Sequence, residues 1–392
     1  MSMALKSKIL PRFGCPVDPL VLGMSCLLLL TGLVMVTSAS TEVSARIYGN
    51  PFHLASRHLV SVLIAAAAGG VAMSIPIKVW QKLDLPLLFI AFVLLVAVLI
   101  PGIGKEVNGA SRWISLGFFT LQGSEFVKLI AIIYIAAYLV KRKEEIQQNW
   151  LAFIKPLIFV GTMSVLLLMQ PDFGAAVVIM SAVMGVIFLA GSPMKYYLPV
   201  VSVGLVILGA IAVLQPYRLA RLTSFTDPWQ HPFGGGYQLT QALIAIGRGE
   251  WLGLGLGNSI QKLFFLPEAH TDFLFSIIAE ELGVVGAVLI IVVFAILVVR
   301  ALWIGKSAVE QGAEFHAFLA YGIAFLLGVQ SSINLGVNLG LLPTKGLTLP
   351  LVSFGGNSLI ISCVLIAILL RIEYECRNQM IGVIARSRRS VK

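Results

Sequence analysis

The stretch DFLFSIIAEELGVVGAVLIIVVFAILVVR, residues 272–300, decides the fold. It is long and apolar enough to cross a bilayer, which takes ~20 residues of helix. Yet it opens on Asp272 and carries Glu280 and Glu281 near its mouth. Ionisable groups at such depth are costly and are usually kept for function. The residues just before it, Leu-Pro-Glu-Ala-His-Thr-Asp-Phe at 266–273, add Glu268 and His270. Asp272, Ser276 and Glu280 recur at helical spacing, which predicts one shared face lining a common cleft.

Comparable apolar runs recur along the chain. Of its 392 residues 58% are hydrophobic and only 12% are charged, about half the charged share of an ordinary soluble domain. The predicted fold class is an all-α polytopic membrane protein, a single membrane domain over 1–392 with about ten transmembrane helices. The spans are 19–38, 55–75, 84–101, 121–140, 153–169, 174–191, 196–214, 272–300, 314–338 and 349–371. The first lacks a small-residue cleavage pattern and is read as an uncleaved helix that directs insertion.

An even number of spans puts both termini on one side. With residues 1–18 in the cytoplasm, that side collects Lys78, Lys82, Lys141, Arg142, Lys143, Lys195, Arg300, Lys306 and the basic tail within 372–392. This matches the positive-inside bias. The net charge of +10 therefore reflects topology and anionic lipid rather than a nucleic-acid stripe. The long connection 215–271 falls outside, with an apolar piece at 238–246 suited to the bilayer surface. Cys15, Cys26, Cys363 and Cys376 show neither metal-ligand nor redox spacing, so no disulfide framework is expected.

Other charged and broken segments have two readings each. Glu125 and Lys128, at i and i+3 within a span, suit a structural ion pair; alternatively Lys128 holds an anionic headgroup. On the outer side Arg112, Arg218, Arg221, Arg248 and Lys345 supply cations able to grip a pyrophosphate, arginine bidentately, although Arg112 beside Trp113 also suits interface anchoring. Asp172 in Gln-Pro-Asp-Phe-Gly, 170–174, suits an N-cap or a second acid in the cleft. The glycine run 247–257 lacks the Gly-Lys-Ser/Thr ending of a phosphate loop and is read as permitting tight turns and close helix approach. Pro343–Pro350 and Ser353–Asn357 form a broken entrance to the last span, tolerated at membrane depth where backbone lines a cavity.

Together these motifs resemble the SEDS family (shape, elongation, division and sporulation). The likeness rests on Asn-Gly-Ala-Ser-Arg-Trp at 108–113, Gln-Pro-Asp-Phe-Gly at 170–174, Tyr-Arg-Leu-Ala-Arg-Leu at 217–222, Asp-Pro-Trp at 227–229, and the segments 266–273 and 343–356. Ala269 and Lys345 make it most like the division member, since the elongation member more often has Arg at the first position and lacks the Lys. Gly123, Phe354 and Asn357 depart from the commoner Pro, Tyr and Ser.

The resemblance implies a peptidoglycan glycosyltransferase of the bacterial inner membrane that polymerises lipid II at the division septum. Its partners would be a cognate class B penicillin-binding protein, the septal transpeptidase, and other division proteins. Asp272 would be the general base, and the outer cations would stabilise the pyrophosphate leaving group. Glu268, His270, Glu280, Glu281 and Asp172 would support it. No cofactor is implied, although a divalent cation bridging pyrophosphate oxygens suits the chemistry. A lipid II flippase, an elongation polymerase and a division scaffold remain the alternatives; a transporter would usually place its coupling site near the midplane.

Overall fold

The computed structural model describes residues 17–390 apart from 108–109, 116, 118–119, 215–224, 231 and 345. In chain order the first helices are α1 (Pro19–Tyr48), α2 (His53–Ser74), α3 (Ile77–Lys82), α4 (Asp84–Leu99), α5 (Gly123–Lys141), α6 (Lys143–Gln148) and α7 (Trp150–Met169). They are followed by α8 (Phe173–Leu189), α9 (Met194–Leu214), α10 (Tyr237–Gly249), α11 (Leu274–Glu310), α12 (Glu314–Asn338) and α13 (Gly356–Ser390). Every predicted span falls on one of these helices.

Local chemistry sets several boundaries. Asp18 caps α1, accepting from the N–H groups of Leu20 and Val21 at 3.0 Å, with Pro19 in the first turn. Both features suit the orphan donors of a helix start. Asn149 caps α7 in the same way. The helices α1 and α11 run past the predicted ends, to Tyr48 and Glu310, and the last span begins at Gly356 rather than 349.

The connection between α4 and α5 forms a small antiparallel sheet, β1 (Gly104–Val107), β2 (Ala110–Ser115) and β3 (Thr120–Gln122), in the order β1-β2-β3. Strands this short hold too few alternations for a period to register in sequence. The apolar stretch 238–246 belongs to α10, whose buried face, Leu239, Ala242 and Ala245, packs on α11 and α12. Protein rather than a bilayer surface covers it.

The helix α5 is the hub: from Gly123 to Ala137 nearly every side chain is buried, with α4, α7, α8, α12 and α13 around it. Small residues allow close approach where no water drives association; Gly69 on α2, for example, faces the Cys363 carbonyl of α13. Many large apolar side chains, such as Leu30, Leu63, Phe89 and Val206, are exposed on the spans, as a lipid-facing perimeter requires.

Ion pairs gather at one end of the bundle. Arg300 reaches Asp18 at 2.6 Å, Lys141 reaches Asp84 at 2.6 Å, Lys143 meets Glu314, and Glu375 accepts from Arg371 at 2.7 Å and lies 3.0 Å from the His316 ring. The starts of α5, α8, α11 and α13 and the end of α12 meet at the opposite end, where Asp272 lies.

Candidate active site

Asp272 precedes α11 by two residues and is half-buried. Its carbonyl accepts from two side-chain amides of α12, Asn334 Nδ2 at 2.8 Å and Asn338 Nδ2 at 3.0 Å. Asn334 Nδ2 also donates to the Leu347 carbonyl at 2.6 Å. Asn338 Oδ1 accepts from the Ser276 N–H at 3.1 Å and its hydroxyl at 2.7 Å. Gly346 and Leu347 form the facing wall. Gly346 comes so near that a Cβ there would stand 3.2 Å from Asp272 Oδ2.

The turn 170–174 joins the same end. Leu347 packs on Gly174 at the start of α8, and Asp172 caps that helix by accepting from the Ala175 N–H at 3.2 Å. Asp172 is buried, so its carboxylate serves the helix start rather than the cleft. Arg112, on β2, donates to the carbonyls of Gln170 and Pro171. A chain of contacts therefore runs from Arg112 through the 170–174 turn and Leu347 to Asp272.

Beneath lies a buried polar relay. Lys128 Nζ donates to Glu125 at 2.9 Å and to Gln330 Oε1 at 2.6 Å. Gln330 Nε2 donates to the Thr348 carbonyl at 3.0 Å, and Thr348 in turn donates to Ser358 Oγ at 2.9 Å. Lys128 is spent on these partners and is 3% exposed, which argues against its holding a headgroup.

Glu280 and Ser276 do not line a cleft with Asp272. Both are fully buried, as is Glu281. Ser276 is taken by Asn338 of α12, and the two acids by the connection 250–262, which folds into a break in α11 at Gly283 (φ 69°, ψ −171°). There the Glu280 and Glu281 carbonyls accept from the N–H groups of Leu254 and Gly255, while Glu250 and Trp251 carbonyls take the N–H groups of Val284 and Val285. Only glycine suits this conformation. The Glu280 carboxylate takes Ser259 Oγ–H and the Ile260 N–H. Glu281 takes Lys262 Nζ at 2.8 Å, Ser38 Oγ–H at 2.7 Å and the Gly257 N–H at 3.0 Å. These buried carboxylates therefore staple 250–262 to α11 and α1.

The remaining predicted residues divide. Arg248, at the end of α10, lies 3.6 Å from Glu280 rather than against Asp272's partners. Glu268 is exposed and accepts from the Thr271 hydroxyl at 2.7 Å. The His270 ring meets the Phe354 ring edge-on at 5.5 Å, and its carbonyl accepts the Phe354 N–H. Burial pushes its imidazole below the ordinary value, against the opposing pull of Glu268. Arg218, Arg221 and Lys345 lie outside the described residues. Among the described residues, no group of three or more His, Cys, Asp or Glu gathers as for a metal ion. Sequence reasoning missed Gln330, Asn334 and Asn338; their spacing along α12, a polar stripe in an apolar span, was the available signal.

Residues 19–378 match the cell cycle protein family that unites FtsW, RodA and SpoVE. The chain belongs to this family. The "Probable peptidoglycan glycosyltransferase FtsW" of Pseudomonas fluorescens (strain SBW25) is 51% identical over 376 residues, covering 95% of this chain and 92% of that one. Its namesake from Hahella chejuensis is 53% identical over 354 residues, covering 90% and 89%. Among solved structures of the family's fold, the Rod shape determining protein RodA of Thermus thermophilus aligns with a TM-score of 0.67 and 28% identity over 93% of this chain and 98% of that one. A chain from "Structural coordination of polymerization and crosslinking by a peptidoglycan synthase complex" aligns at 0.75 with 29% identity, over 92% and 98%. The likeness to FtsW proteins agrees with the division branch expected from Ala269 and Lys345.

Proposed function

We propose that this integral membrane protein is a peptidoglycan glycosyltransferase that polymerises lipid II for septal wall synthesis, with Asp272 as general base. The observation that carries the reading is the half-buried Asp272 carboxylate at the mouth of a span, against the Gly346 backbone, in a chain half identical to relatives called glycosyltransferases. Asp272 takes the proton from the acceptor sugar hydroxyl as that oxygen attacks the donor's anomeric carbon. The bond from that carbon to the diphosphate oxygen breaks, and undecaprenyl diphosphate leaves with both electrons. Arg112, oriented by the 170–171 carbonyls, Lys345, and Arg218 and Arg221 neutralise the charge that develops.

The end bearing Asp272 faces the periplasm and both termini face the cytoplasm, because the lysines and arginines of the short turns crowd the opposite end. A class B penicillin-binding protein is the partner that crosslinks the strands and accompanies the chain to the septum. A similar fold within a peptidoglycan synthase complex supports this pairing.

Purified protein in sealed vesicles, supplied with lipid II and this transpeptidase, should make glycan strands that the transpeptidase alone does not. Lipid II headgroup movement across the bilayer without polymer would overturn the proposal in favour of the flippase.

A further inference from the structure

In a regular helix the carbonyl of one residue accepts the N–H four residues on. At the mouth of α11 the Ser276 N–H instead donates to the Phe273 carbonyl at 3.0 Å and to Asn338 Oδ1 at 3.1 Å. The Asp272 carbonyl instead takes the Nδ2 groups of Asn338 and Asn334. The Asn338 amide thus stands between two groups that would be joined if the helix reached back to Asp272. Instead α11 starts at Leu274, its first turn closed onto the Phe273 carbonyl by the Ser276 and Ile277 N–H groups, and the backbone of Asp272 is fixed by α12.

Asn334 ties a second element to the same point, because its amide also holds the Leu347 carbonyl. The adjoining Gly346 is the residue that abuts the Asp272 carboxylate. Asn334 and Asn338 are 2% and 0% exposed and Leu347 is 4% exposed, so no water replaces a lost amide without rearrangement, and loss of the Asn334 amide would leave the Leu347 carbonyl buried and unsatisfied.

We propose that Asn334 and Asn338 are positioning residues for Asp272: their amides hold its carbonyl just outside the first turn of α11 and set the distance between the carboxylate and the wall at Gly346 and Leu347. This rests on the reading of Asp272 as the base. Neither asparagine need touch substrate; both act through the backbone of Asp272. A misplacement of about 1 Å at a reacting group is enough to lose on the order of a hundredfold in rate.

The test uses the full chain with its transpeptidase partner and lipid II. Asn334→Ala and Asn338→Ala should each lower kcat by about tenfold or more with the KM for lipid II within about twofold. Combined with Asp272→Asn, they should lower the residual rate no further, as residues acting through one group do. Should either alanine variant fail to fold, Asn334→Ser and Asn338→Ser, which keep a small donor, carry the same comparison and should retain more activity than alanine wherever both can be measured. An unchanged kcat, a loss confined to KM, or an equal further loss on the Asp272→Asn background would overturn the proposal alone. A wild-type rate for Asp272→Asn by itself would overturn both the base and its positioning.

Discussion

Gly346 rests against the Asp272 carboxylate so closely that a methyl group there would stand 3.2 Å from Oδ2. That is tighter than ordinary contact, and something must give by a few tenths of an ångström. Gly346→Ala should therefore displace the carboxylate or the wall while leaving the bundle intact. The expected outcome is a fall in polymerisation rate of roughly threefold to tenfold, with lipid II binding unchanged; Gly346→Val should lose more. Initial rates over a lipid II titration check this.

The Lys262–Glu281 pair, 2.8 Å apart and almost wholly buried, is expected to behave asymmetrically. Glu281→Ala leaves an ammonium buried without its carboxylate and should destabilise the protein by about 3–5 kcal/mol. It also releases Ser38 and the 257–259 backbone. Replacing both partners, as Glu281→Gln with Lys262→Met, should cost less than Glu281→Ala alone. Thermal unfolding of the purified variants in detergent measures the difference; equal melting of all three would deny the pair its stapling role.

The lowered His270 value gives a pH dependence with a definite sign. A group whose folded value is depressed contributes stability above its unfolded value, and that stability is lost as pH falls through the folded value. Wild-type protein should lose more of its melting temperature from about pH 7 to about pH 5 than His270→Gln does.

Much of this is legible in the sequence. Uncharged runs of bilayer length mark the helices directly, since nothing else satisfies backbone groups in lipid. Asp272 stands out because acid at a span mouth needs a reason. The acids some two turns further on misled, because helical spacing assumes a continuous helix. The regular part of α11 begins only at Leu274 and breaks at Gly283, and the groups that claim Glu280 and Glu281 come from a connection some twenty residues earlier. Asn334 and Asn338 stayed hidden because an amide within an apolar span declares no partner. Only the packing of α12 on the mouth of α11 shows which carbonyls it serves.

The central claim is that Asp272 removes the acceptor proton, and its most direct test is Asp272→Asn, nearly isosteric but unable to act as a base. The rate of glycan-strand formation from lipid II is measured for this variant with its transpeptidase partner, beside its lipid II affinity and melting temperature. Polymerisation should fall at least about a hundredfold, the lower range for losing a general base, with affinity and melting temperature preserved. Strand formation at the wild-type rate would contradict the account.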